Sequence, residues 1–144
     1  MSLGRSSAAP WLAVALAAAT LVSTAACDES PTGPSIRVGA DVTLAPGSRA
    51  RVADTSLTLQ FDGVDGDSRC PGDAICITGG DALVKVTVID GSAADRHIEL
   101  HTGSLAPVRH GRYVITLIEL SPYPFSSRPF SPGDYRATLR VTAS

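Results

Sequence analysis

Apolar and polar side chains alternate along most of the chain after residue 40, which is the pattern of strands with one buried face. The alternation is clearest in three runs, at residues 57–62, 97–101 and 135–142. Two further runs, 82–89 and 113–120, are apolar on both faces apart from four polar side chains, which is typical of strands in the middle of a packed sheet. Shorter strands are predicted at 41–44 and 50–52.

Turn-forming residues separate these runs, at positions 46–47, 79–80, 90–91, 103, 110–111 and 132–133. No window of a dozen residues after Cys27 carries a helical stripe. About seven strands at this spacing predict an all-β fold, an antiparallel β-sandwich of immunoglobulin-like type, with a small β-barrel as the alternative. Residues 122–132 hold four prolines and two phenylalanines, which predicts a long loop with its aromatic rings packed on one end of the sandwich.

The start of the chain has the composition of a secretory signal. Arg5 supplies the positive charge, and the apolar run at 11–22 is shorter than the roughly 20 residues that a transmembrane helix needs. Residues 25–27 (Ala-Ala-Cys) resemble the lipobox of bacterial lipoproteins, although Thr24 stands where Leu is usual. The resemblance implies acylation of Cys27. The alternative is ordinary cleavage, which leaves Cys27 as a free or disulfide-bonded thiol.

This interpretation divides the chain into three parts: a lipoprotein signal peptide at 1–26, a flexible tether at 27–40 and a β-sandwich domain at 41–144. Residues 28–35 offer no apolar side chain to a core, and two prolines and a glycine among them disfavour a helix. Several acyl chains hold a protein stably on a membrane, whereas one does so only marginally. The expected location is therefore the bacterial cell envelope, lipid-anchored to the inner or outer membrane, with the domain in the periplasm or outside the cell.

The net charge of the chain bears on the class of partner that it can bind. After removal of residues 1–26, 11 basic and 14 acidic residues remain, a net charge of about −3. A nucleic-acid-binding protein would have a basic excess clustered on one surface, so no nucleic-acid partner is expected.

Three cysteines in an exported protein leave one over when two of them pair. Cys70 and Cys76 lie six positions apart in a stretch rich in turn residues, 62–82, and an oxidising destination favours a disulfide between them. A metal or redox pair is disfavoured, because the C-x2-C spacing is absent and no His lies nearby in the sequence. The unpaired cysteine is Cys27, where lipidation would use it.

The same stretch resembles a family of small, mostly uncharacterised bacterial envelope proteins. They share an Asp-Ser-Arg-Cys-Pro run, a second cysteine, and a Trp-x-Gly-x-Ala segment entering a strand. The matching residues here are Asp67 to Pro71, Cys76, Gly80 and Ala82, with Thr78 in the place of the usual Trp. The resemblance implies an envelope location and a β fold, and no activity.

Charged residues in this stretch suggest two kinds of chemistry. Asp67 and Arg69 are a candidate loop surface, although a local ion pair or bonds to the loop backbone are the simpler interpretation. Asp62, Asp65 and Asp67 have the oxygen ligands that calcium prefers, but the EF-hand pattern fails because Cys76 occupies the position of its bidentate Glu. A turn-forming, solubilising role is the favoured alternative for these three aspartates.

His97, Glu99 and His101 project from one face of a predicted strand, with about 7 Å between alternate positions. They are weak candidates for a divalent metal site, and the alternative is an ordinary polar outer face.

No catalytic motif of a hydrolase, a metalloprotease or a nucleotide-binding loop is present in the sequence. We therefore expect a lipid-anchored, non-enzymatic envelope module with a binding or structural role. It would need no cofactor, and its partners would be the membrane, through the lipid, and an unknown envelope protein or ligand. A cryptic metal-dependent hydrolase is the alternative.

Overall fold

The computed structural model describes residues 33–144, so the predicted signal peptide, Cys27 and the first part of the predicted tether lie outside the described residues. The described chain forms nine strands and one short 3₁₀ turn, η1 (Pro132–Asp134). The strands are β1 (Ser35–Ile36), β2 (Asp41–Leu44), β3 (Arg49–Val52), β4 (Leu57–Asp67), β5 (Ala82–Asp90), β6 (Arg96–His101), β7 (Val108–His110), β8 (Tyr113–Ser121) and β9 (Arg136–Ala143). No helix in this part of the chain is long and apolar enough to cross a membrane.

The strands form two sheets, with the orders β1-β3-β4-β5-β6 and β2-β9-β8-β7. All pairs are antiparallel except β1 with β3, so the predicted antiparallel β-sandwich is confirmed. Strands β3 to β6 and strands β7 to β9 are neighbours in chain order, whereas β1 pairs with β3 and β2 pairs with β9. Short turns such as 53–56 and 91–95 explain this order, because each lets a strand pair with the next one along the chain.

The seven longer strands are those that the alternation predicts, and the two additional strands, β1 and β7, have two and three residues. Strand β4 continues to Asp67, five residues beyond the predicted run at 57–62, so the first part of the turn-rich stretch 62–82 is strand and not loop. Two bulges interrupt the pairing of β4 with β5, between Phe61 and Gly63 and between Val64 and Asp67. The glycines at 63 and 66 have φ of 144° and 142°, a conformation that side chains disfavour. These two glycines suggest a turn in the sequence, but in the structure they form the bulges of a strand.

The domain also begins earlier than the predicted boundary at 41. Strand β1 pairs in parallel with β3, where Arg51 N–H donates to Pro34 O at 2.9 Å and Ala53 N–H donates to Ile36 O at 2.7 Å. Ile36 packs against the core. Residues 34–36 therefore belong to the sandwich and not to a flexible tether, because their backbone groups satisfy the free edge of β3.

The core fills the space between the sheets and consists of alternate residues of each strand. Its largest fully buried side chains include Phe61, Leu57, Leu59, Ile115 and Leu139. The outward positions of β9 and of the first half of β4 are mostly polar, as the alternation predicts, whereas β8 also carries Val114 and Ile118 outward.

The sandwich has two ends. The cysteine-loop end consists of the β4–β5 loop (68–81), the β6–β7 loop (102–107) and the β8–β9 loop (122–135), where β4, β6 and β8 finish. The opposite end consists of the turns at 37–40, 53–56, 91–95 and 111–112. This division matters because the exposed apolar side chains are distributed unevenly between the ends.

Candidate functional site

Cys70 and Cys76 form a disulfide with a Cα–Cα distance of 5.9 Å, which confirms the predicted pair. The ring packs on the β8–β9 loop, where Gly72 N–H donates to Pro124 O at 2.9 Å. The Asp73 carboxylate accepts the backbone N–H groups of Ser126 and Ser127 at 2.7 and 3.1 Å. One backbone hydrogen bond and two hydrogen bonds to the Asp73 carboxylate therefore join the two loops.

Arg69 makes the deepest polar contacts at this end. Its guanidinium donates to both carboxylate oxygens of Asp67, from Nε at 2.9 Å and from NH2 at 2.6 Å. It also donates to Leu120 O at 2.8 Å and to Pro122 O at 2.9 Å. Tyr135 completes the network, since its hydroxyl donates to Asp67 Oδ2 at 2.9 Å. One arginine therefore connects the end of β4 with β8 and the loop that follows it.

These contacts are important for stability because they are buried. The side chains of Arg69 and Asp67 are only 7% and 10% exposed. Burial raises the pKa of Asp67, but the hydrogen bonds from Arg69 and Tyr135 outweigh it and hold the pKa below its usual range. Burial and the neighbouring carboxylate raise the pKa of Tyr135 to about 12. The expected local ion pair is confirmed, whereas the interpretation of Asp67 and Arg69 as a loop surface is wrong, because both face inward.

The three aspartates of the calcium hypothesis do not converge. Asp62 accepts hydrogen bonds from Gln60 and Thr87, Asp65 pairs with Lys85 at 2.6 Å, and Asp67 belongs to the Arg69 network. All three lie in strand β4 and not in a turn, so the turn-forming role is wrong as well.

His97, Glu99 and His101 share the outer face of β6, as predicted, and each is exposed. His97 Nδ1 lies 2.8 Å from Thr87 Oγ1, and His101 Nδ1 lies 2.6 Å from Asp81 Oδ2. Glu99 stands opposite Lys85 in the strand register. Among residues 33–144 no three His, Cys, Asp or Glu side chains are close enough to hold a metal ion, because separate partners hold the two rings.

Asp81 connects the cysteine loop with the β6–β7 loop and was not singled out from the sequence. Besides its contact with His101, the Asp81 carboxylate accepts hydrogen bonds from Thr102 Oγ1 at 3.0 Å and from Gly103 N–H at 2.8 Å. The hydrogen bond from His101 is the largest cause that lowers the pKa of Asp81 to about 2. The carboxylate is therefore ionised at every physiological pH.

A chain of hydrogen bonds crosses the outer face of the first sheet, from β3 to β6. Arg49 Nε donates to Gln60 Oε1 at 2.6 Å, and Gln60 Nε2 donates to Asp62 Oδ1 at 2.8 Å. The buried Thr87 hydroxyl lies 2.7 Å from Asp62 Oδ2 and 2.8 Å from His97 Nδ1. Thr87 has one proton, which the carboxylate accepts, so His97 donates through Nδ1–H. In its neutral form this ring keeps Nε2 as a free acceptor.

The chain of hydrogen bonds ends beside an open groove of about 550 Å³. The groove lies where β6 and β7, the edge strands of the two sheets, face each other without pairing. Arg96 NH1 bridges the two strands by donating to Arg109 O at 2.9 Å. We call it the β6 groove, and its lining is mostly charged: Asp62, Lys85, Arg96, His97, Ile98, Glu99 and Val108.

The second notable surface is apolar. Ile75 and Ile77 in the cysteine loop are fully exposed, and Leu105, Tyr123 and Phe125 are about half exposed. These five residues are named the apolar tip. Tyr123 and Phe125 are stacked edge to face at 6.3 Å, and Tyr123 and Leu105 line one cleft of about 290 Å³ together with Cys70. The apolar tip therefore holds five of the seven large apolar side chains that are exposed among the described residues, all at the cysteine-loop end.

No protein-family model matches the chain, and comparisons with curated proteins and with solved structures also find no match. The function has to be argued from the groove, the apolar tip and the sequence itself.

Proposed function

We propose that the protein is a lipid-anchored, non-enzymatic binding module of the bacterial cell envelope, held in the membrane through Cys27, with the β6 groove as its ligand site. The Ala-Ala-Cys junction after an apolar run supports the anchor, as does the resemblance of the cysteine loop to bacterial envelope proteins. The observation that supports binding most directly is the β6 groove itself, whose volume of about 550 Å³ falls within the range of ligand sites.

The lining of the groove selects for a polar ligand. Two cations, Lys85 and Arg96, stand with two anions, Asp62 and Glu99, around a single histidine. Lys85 is paired with Asp65, and Arg96 donates to a backbone carbonyl, so both cations are already oriented. Such a surface suits a ligand with both hydrogen-bond donors and acceptors, such as a sugar or a peptide segment.

The groove suits binding better than catalysis. Its one hydroxyl–histidine pair, Thr87 with His97, has the hydroxyl buried and engaged with Asp62, where it does not serve as a nucleophile. A metal-dependent hydrolase would need three protein ligands around one ion. The described residues do not bring such a set together.

The anchor is tested by replacing Cys27 with Ser and fractionating cells. We expect the Cys27→Ser protein to leave the membrane fraction, because it has no acyl chain to hold it. The matched control is the double variant Cys70→Ser/Cys76→Ser, which should remain in the membrane fraction. A Cys27→Ser protein that is processed and retained like the parent would show that the anchor is absent.

The groove is tested with a photo-crosslinking amino acid placed at Glu99, inside the groove, or at Thr43, on the outer face of the other sheet. Irradiation of intact cells should give a specific adduct from position 99 that position 43 does not give. Identical adduct patterns, or none from position 99, would remove the groove from the proposed function.

A further inference from the structure

The apolar tip differs from the scattered apolar side chains of an ordinary surface. Ile75 and Ile77 flank Cys76, and the disulfide and the Gly72 hydrogen bond hold their loop in place. Scattered exposed hydrophobic residues need no explanation, whereas a continuous patch usually marks a protein or membrane contact. At the opposite end, Val38 is the one large apolar side chain that is exposed among the described residues.

The part of the tip in the cysteine loop is nearly free of charge, whereas Arg128 lies over the Phe125 ring at its other side. Between Cys70 and Gly80 the only ionisable side chain is Asp73, since both cysteines are oxidised. The Asp73 carboxylate already accepts two backbone N–H groups. Approach to an apolar medium would therefore not require a free charge on this loop to lose its water.

The direction of the chain relates the tip to the anchor. Strand β1 is parallel to β3, and β3 is antiparallel to β4, which runs toward the cysteine-loop end. The chain before Ser35 therefore leaves the domain on the side of that end. Gly33 lies against the carbonyl of Arg49, which is paired with Gln60. From Gln60 to Asp67, the end of β4, the distance is about 20 Å at 3.3 Å per residue, allowing for the bulges.

The available length of chain is similar. Five residues, 28–32, lie between Cys27 and Gly33, so six Cα–Cα steps join the two. Even a fully extended segment of that length spans at most about 20 Å. A lipid on Cys27 therefore keeps the membrane surface within about 20 Å of Gly33, which is the distance by which β4 projects beyond Gly33 in the same direction.

We infer that the cysteine-loop end rests on the bilayer, with Ile75 and Ile77 inserted into its interface. The inference depends on the proposed anchor at Cys27 and adds a second contact to it. Other orientations would press charged surfaces against the bilayer, such as the outer face with Lys85 and Glu99, or the turns that carry Asp54 and Asp95. With the tip on the membrane, the β6 groove opens sideways into the aqueous phase.

A tryptophan reporter tests the contact. Trp11 is the only tryptophan of the chain and lies in the predicted signal peptide, so the processed protein would have none. The lipidated full-length product carrying Ile77→Trp is reconstituted into vesicles that contain brominated phospholipids, which quench nearby indole rings. The matched control is Val38→Trp at the opposite end. We expect at least twofold quenching of the Ile77→Trp reporter and none of the control.

The outcomes separate the contact from the anchor. If the protein floats with the vesicles and both reporters are quenched equally, the contact is overturned and the anchor stays intact. The same holds if the protein floats and neither reporter is quenched. Protein that does not float overturns the anchor. An Ile77→Trp reporter in floating protein that is shielded from iodide in water but not quenched by bromine indicates a protein partner on the tip, and also overturns the membrane contact.

A second measurement uses the Cys27→Ser protein from which the signal peptide, residues 1–26, has been removed. The tip is then its only proposed means of binding vesicles. Adding Ile75→Ser should lower its partition onto vesicles about tenfold, which is the expected effect of removing one inserted side chain of this size. Adding Val38→Ser should have no effect. Equal partition of the two variants would contradict the inference.

Discussion

Replacing Arg69 with Met removes a cation that contacts four groups: the Asp67 carboxylate, the Leu120 and Pro122 carbonyls and the face of the Tyr123 ring. The methionine fills part of the same space but donates no hydrogen bond. The carboxylate then stays buried with Tyr135 as its remaining partner from a side chain.

The size of the expected loss of stability follows from the burial of the ion pair. Breaking a buried ion pair by removing one partner costs about 3–5 kcal/mol, because an uncompensated charge is left inside the protein. The matched control is Arg140, which makes the same two-pronged contact with Asp41 at 2.6 and 2.8 Å. Both of those side chains are about 40% exposed. Water and salt screen an exposed pair, so Arg140→Met should change stability little.

Thermal unfolding followed by circular dichroism measures the difference. At about 4 °C per kcal/mol, Arg69→Met should lower Tm by about 12–20 °C and Arg140→Met by less than about 4 °C. The double variant Asp67→Leu/Arg69→Met removes both charges and should melt above the Arg69→Met single variant. An equal drop in Tm for the two arginine variants would refute the claim that burial makes the Arg69 network important for stability.

Three further predictions concern the disulfide and two perturbed pKa values. The variant Cys70→Ser/Cys76→Ser should still fold but lose about 2 kcal/mol in urea denaturation, because the disulfide closes a ring of about seven residues; an unchanged midpoint would contradict this. The pKa of Asp81 is lowered from 3.8 to about 2, so its stabilising effect is complete above pH 4 and is lost as the pH falls toward 2. The Tm deficit of Asp81→Asn should therefore be largest near pH 6 and disappear near pH 2, and a deficit that is constant with pH would exclude this linkage. The pKa of Tyr135 is raised to about 12, so its stabilising effect is lost as the pH rises from 10 to 12. The absorbance at 295 nm that Tyr135→Phe removes should titrate near pH 12, and a midpoint near 10 would mean that the hydroxyl is not buried beside Asp67.

The strands could be predicted because a strand with one buried face has a period of two in its own sequence. The same argument fails for β1 and β7, since two or three residues carry no period. It also fails at the end of β4, where glycines and aspartates suggest a turn. The residues from Asp62 onward continue the strand because Lys85 and Val84 of β5 pair with Gly63 and Val64 across a bulge.

The contacts of the candidate site also fall into those that the sequence predicts and those that it does not. The Cys70–Cys76 bond and the Asp67–Arg69 pair are contacts within six residues, so spacing alone predicts them. The burial of that pair depends on Leu120 and Tyr135, more than 50 residues away. The chain of hydrogen bonds from Arg49 to His97 depends on the register of four strands, which the sequence pattern does not determine.

The edges of the two sheets have a consequence for crowding. Two of the four edge strands, β1 and β7, are only two and three residues long, and β6 has His97, Glu99 and His101 on its exposed face. Short or charged edges hinder the pairing of one sheet with the sheet of another molecule. On the anchor proposed at Cys27, copies would meet side by side in the membrane plane, which is the approach that would otherwise join their edges. High local density should therefore leave neighbouring copies separate instead of growing them into aggregates.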